Sequence, residues 1–140
     1  MSATLYETDF HAWALEQARR LRAGEPIDRE RVAEEMESLG KSEQRELESR
    51  LIILVAHRLK WEFQPEGRSP SWRATIREQQ KRIALHLEKN PSLRPLVPEA
   101  ISSAYPVAVI QAVRDMGTVV EADLPQNCPY GYRELMEELA

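Results

Sequence analysis

Along most of the chain, apolar residues recur every three or four positions, which is the period of a helix with one buried face. Tyr6, Phe10, Trp13, Ala14 and Leu21 share such a face and predict a first helix over about 6–23, stopped by Gly24. Asp28 then stands where an N-cap belongs, with Ile27 and Val32 at the two positions of a hydrophobic staple. This predicts a second helix over about 28–39, with a core stripe of Val32, Met36 and Leu39 and a stop at Gly40. Ser42 reads as the cap of a third helix, about 42–63, with Glu43 and Glu46 near its positive end. The middle of that helix, LIILVA from Leu51 to Ala56, is apolar on every side and predicts the central helix against which the others pack.

Pro65 ends the third helix, and Ser69 or Ser71 opens a fourth over about 71–89. Its stripe is Trp72, Ile76, Ile83 and Leu87, while Arg73, Arg77 and Lys81 form a separate row about 100° round the helix. A fifth helix is expected over about 98–116, bent near Pro106 and ended by Gly117. An irregular stretch carrying Pro125 and Pro129 leads to a last short helix over about 131–139. With no convincing strand alternation, the expected fold is all-α: one domain over residues 1–140, a compact bundle of five to six helices around the third.

The stretch WEFQPEGRSPSWR, residues 61 to 73, brackets a Pro- and Gly-bearing turn with two tryptophans. It reads as the architectural corner between the third and fourth helices, with both indoles drawn inward and an edge that can face an anion.

Composition sharpens this picture in three places. The 140 residues, 42% hydrophobic and 30% charged, fit a single folded domain able to bury about 70% of its unfolded surface. The longest unbroken apolar run, Leu51 to Ala56, falls far short of the roughly 20 residues of a membrane span, and no early apolar stretch follows a basic N-terminus. Together with a lone cysteine, Cys128, which excludes an internal disulfide, this predicts a cytoplasmic protein with no membrane partner. The net charge of −4 is uneven: from Pro65 to Arg94 seven basic residues face three acidic ones, a balance of +4 that leaves −8 for the remainder. Such asymmetry suits an anionic ligand, and also suits opposite patches meeting within an oligomer or across the fold.

Taken in order, YETDFHAWALEQARRLRAG, VAEEMESLGKSEQRELESRL, HRLKWEFQPEGRSPSWRATIREQ, NPSLRP and NCPYGYRELMEE resemble the bacterial domain-of-unknown-function family 29 over nearly the whole chain. The most specific element is the H-x-L-K-W-x-x-Q-P-E turn followed by S-W-R-A-T-I. The resemblance implies an all-helical fold in a bacterial cytoplasm and carries no activity, cofactor or site residue with it.

Candidate chemistry is sparse. The residues three before His11, His57 and His86 are Thr8, Leu54 and Ile83, so the E-x-x-H pairs of a di-iron bundle are missing. No H-E-x-x-H, G-x-S-x-G or P-loop occurs, and His86-Leu87-Glu88 lacks the cysteine pair of a zinc deaminase. Among Glu34, Glu35 and Glu37, the consecutive Glu34 and Glu35 point about 100° apart, and the group reads as a solvated face; no metal or cofactor is expected.

Arg50 and His57, seven positions apart, point the same way and resemble the arginine and histidine of HEPN-type ribonucleases. There the imidazole would move the proton of a 2′-hydroxyl and the guanidinium would steady phosphorane charge. Leu51 stands where that motif carries a polar residue. The plainer reading is a histidine near the core, satisfied by a local acceptor. Arg73, Arg77 and Lys81, with Lys60 and Arg68 at the turn and Trp61 or Trp72 as stacking surfaces, form a candidate nucleic-acid face, against the plainer reading of a solvated helix side. The absence of a complete site favours a non-catalytic protein-interaction or oligomerising module, expected to form a homodimer or dock on a protein partner.

Overall fold

A computed structural model describes residues 4–139. Among these residues there is no strand, and the chain is all-α: α1 (Leu5–Thr8), α2 (Phe10–Ala23), α3 (Arg29–Phe63), α4 (Pro70–Lys89), α5 (Val97–Met116) and α6 (Tyr132–Leu135). Short 3₁₀ turns at Pro65–Gly67, Pro91–Leu96 and Glu121–Asp123 fill the connections. The chain divides into two compact units, Met1–Ser42 and Glu43–Ala140.

In the first unit the predicted helix over 6–23 is interrupted at Asp9, whose carboxylate leaves α1 and accepts the Ala12 N–H at 3.0 Å, capping α2. Gly24 closes α2 with φ of 72°, a left-handed conformation that glycine adopts without penalty. Trp13 is the buried residue here; the Tyr6 ring meets it edge-on at 4.8 Å between centroids and meets Phe10 at 5.7 Å. Tyr6 donates its hydroxyl to Glu35 and lies 4.3 Å beneath the Arg31 guanidinium. The expected core stripe of the second helix is not a core: Met36 and Leu39 are 63% and 61% exposed.

The stop predicted at Gly40 does not occur. Gly40 is not among the positive-φ glycines, and α3 runs through it without a break. Ser42, expected to cap a new helix, donates its hydroxyl back to the Leu39 carbonyl at 2.6 Å, a bond a serine makes inside a helix. Glycine permits a stop but imposes none unless the chain takes the left-handed turn.

In the second unit Leu47, Leu51, Leu54, Val55, Ala56 and Leu59 of α3 are buried together with Ile76, Ile83 and Leu87 of α4 and Ile101, Ala104, Ala108 and Ala112 of α5. By length and composition Pro91–Met116 is apolar enough to cross a bilayer, with a mean hydropathy of 1.3 over an 18-residue stretch, 39% of which is buried; Ile101, Ala104 and Ala108 are buried, while Val107 and Ile110 are exposed. Ser69 caps α4, accepting the Trp72 N–H at 3.1 Å, with Pro70 in the first turn. Lys60 is buried near the end of α3 and pairs with Asp115 of α5 at 3.0 Å, its ammonium 5.2 Å from the Trp72 ring centroid.

The last helix is shorter than predicted. The Arg58 guanidinium donates to the carbonyls of Glu134 at 2.7 Å and Glu137 at 2.6 Å, while the Gln80 amide donates to those of Leu135 at 2.8 Å and Glu137 at 2.9 Å. These carbonyls find partners outside the helix, so continuing it is not needed to satisfy them.

Gly40 has no atom near the position of an added Cβ. Gly40→Ala is therefore expected to stabilise the protein by about 0.5–1 kcal/mol, read as a higher urea midpoint at unchanged slope.

Candidate functional site: a cationic groove on α4

Because α4 buries Ile76, Ile83 and Leu87, the i, i+4, i+8 row of Arg73, Arg77 and Lys81 is left exposed on another side. The C-terminal segment held by Arg58 and Gln80 supplies the facing wall. A groove of about 400 Å³ results, lined by Arg73, Arg77, Gln80, Lys81, Met136, Glu138 and Leu139. Among the described residues none of the three cations forms an ion pair, whereas Arg19, Arg31, Arg50, Lys60 and Arg82 each do. Glu138 and Leu139 also border a second groove of about 280 Å³ with Arg58, Trp61, Glu62, Arg68 and Tyr130.

The corner between α3 and α4 borders this region. Trp61 is half-buried against the core, and the guanidiniums of Arg68 and Arg73 lie 4.8 and 4.9 Å from its ring centroid. Arg68 Nε also donates to the Trp61 carbonyl at 2.8 Å. Trp72 is half-buried beside Gly67, where a Cβ would lie 2.8 Å from its ring, so the turn needs glycine for the close approach. Lys60 does not line the groove; its ammonium is spent on Asp115.

The other sequence candidates do not converge on the groove. Arg50 donates to Glu46 at 3.0 Å and to Gln79 at 3.4 Å. His57 lies two turns on, its Nδ1 2.8 Å from the Ile53 carbonyl one turn back.

The profile of DUF29, a domain of unknown function, matches residues 5–139. The chain belongs to the DUF29 family. No curated protein and no solved structure matches it.

Sequence reasoning missed one cluster in this DUF29 chain. His86, buried on α4, sets Nδ1 3.0 Å from a Glu46 carboxylate oxygen and Nε2 2.8 Å from the Glu43 carbonyl, with the Glu43 carboxylate at 3.5 Å. The ligand atoms of Glu43, Glu46 and His86 lie within 4.8 Å of one another, close enough to consider a metal ion. Both ring nitrogens already meet oxygens, and Glu46 is shared with Arg50, so the cluster serves as a polar tether between α3 and α4. The readable signal was the Glu43, Glu46 pair at i, i+3; nothing in the sequence placed His86 opposite it. Burial pushes the Cys128 thiol up from its ordinary value, with the Tyr130 carbonyl contact acting against it.

Burial pulls the His57 imidazole below its usual value, with the Lys60 charge acting in the same direction, while the Ile53 hydrogen bond and Asp115 oppose it. The unfolded chain therefore binds this proton more readily, and stability falls as pH drops below the ordinary imidazole value of about 6.5. Above that value the contribution is flat. In the DUF29 chain, His57→Gln should lose less stability than wild type between about pH 7 and pH 5, measured as the difference in urea midpoints.

Asp115 is held below the usual carboxylate range: burial pushes it up, and the Lys60 hydrogen bond and charge, with Arg114, outweigh that push. Asp115→Ala strands a buried ammonium and is expected to cost about 1–3 kcal/mol of stability. Adding Lys60→Met should recover part of that loss in a double-mutant cycle.

Proposed function

We propose that the chain is a non-catalytic protein-interaction module that docks an acidic surface on the α4 groove. The observation that carries this reading is the exposed row Arg73, Arg77 and Lys81, which forms no ion pair among the described residues, facing a wall that holds Met136 and Leu139 with the single carboxylate of Glu138. Exposed cations at helical spacing supply attraction and on-rate, and the half-buried apolar wall gives a bound segment something to cover. No nucleophile paired with a base lines the groove, and Arg50 and His57 are each engaged locally, which supports binding over catalysis.

A nucleic-acid strand would use the same row through its phosphates. Against it stand the chain's net charge of −4 and the two guanidiniums already stacked on Trp61, the ring a base would need.

Fluorescence anisotropy with a poly-glutamate peptide tests the reading. Binding should weaken steeply with salt and fall by about tenfold or more in an Arg77→Glu, Lys81→Glu variant, a pair that spares the Arg73–Trp61 stack. No binding at low salt would end the reading; oligouridylate binding far more tightly than the peptide would hand the groove to nucleic acid.

A further inference from the structure

The first unit carries a row of the opposite sign. Glu30, Glu34 and Glu37 on α3 fall within about 60° of one helix face and are exposed, and none forms an ion pair among the described residues. Neighbouring acids are occupied: Glu35 accepts the Tyr6 hydroxyl, and Glu7 and Asp28 pair with Arg31. At a rise of 1.5 Å per residue, Glu30 to Glu37 spans about 10.5 Å of helix axis and Arg73 to Lys81 about 12 Å, so the two rows match in length as well as sign.

We propose that the acidic surface received by the α4 groove is the Glu30, Glu34, Glu37 row of a second copy of this chain. The inference rests on the reading of the groove as a dock for an acidic surface. A pair in which each copy offers its groove to the other's acidic row makes the contact twice. The contact is built from exposed charges, so the association is weak and salt-sensitive, and it is sought at high protein concentration and low salt.

The test is a charge-swap mixture followed by sedimentation velocity. Arg77→Glu with Lys81→Glu gives a chain acidic on both surfaces, and Glu34→Lys with Glu37→Lys gives one basic on both. Wild type should dimerise at low salt, each variant alone should weaken association by about tenfold or more, and an equimolar mixture should restore it through both contacts. Helical circular dichroism of each variant confirms that it folds. A wild-type chain that stays monomeric, dimers indifferent to the swaps, or a mixture that fails to associate while wild type dimerises would overturn the inference. If poly-glutamate still binds wild type, only the self-association falls; if poly-glutamate fails too, the reading of the groove falls with it.

Discussion

Burial of one continuous apolar stretch of α3 sets the terms for everything built on the second unit. From Leu51 to Leu59, five residues are at or near zero exposure, and no single side of the helix can hold them all. Neighbours must approach from several directions, which α4 and α5 do with Ile76, Ile83, Ile101, Ala104 and Ala108. At about 25 cal/mol per Å² of apolar surface removed from water, this is the dominant favourable term, and the exposed ion pairs are minor beside it. Ala104, Ala108 and Ala112 on α5 are fully buried, and side chains this small permit a close approach between helices.

Polar contacts then fix what the apolar core leaves free. Lys60 with Asp115 and His86 with Glu46 join α3 to its two neighbours, and each sits where a mismatch would strand a buried polar group. Arg58 and Gln80 act differently, because their partners are backbone carbonyls of residues 134–137. By holding the backbone they position Met136, Glu138 and Leu139 whatever those side chains are, and so turn an exposed face of α4 into one side of a groove.

The parts legible in the sequence are those decided by local pattern. LIILVA announced the central helix, although Ile52 and Ile53 in it are only half-buried, Ser69 with Pro70 announced the start of α4, and Gly24 and Gly117 marked ends that the chain closes with left-handed turns. Gly40 carried the same symbol without the turn, and α3 runs through it. The shortened α6 was hidden for another reason: the donors that satisfy its carbonyls lie 55 to 79 residues earlier in the chain. For the candidate site, spacing revealed the row Arg73, Arg77, Lys81 but not its facing wall. Lys60 was placed with Arg68 at the turn, and the approach of Asp115 and the Trp72 ring, which compensates its burial, is not visible in local spacing.

Charge that a fold leaves unpaired costs it little while water solvates it, so unpaired rows are neutral for stability and decisive for association. The same residue type plays both parts in this chain. Arg58, half-buried and donating to carbonyls, is part of the architecture; Arg77 and Lys81, exposed and lining a groove, form no ion pair among the described residues. The distinction lies in where each guanidinium or ammonium finds its acceptors, within the chain or outside it. The cationic row and the buried residues of α4 lie on different sides of one helix, so reversing Arg77 and Lys81 leaves the burial of Ile76, Ile83 and Leu87 untouched.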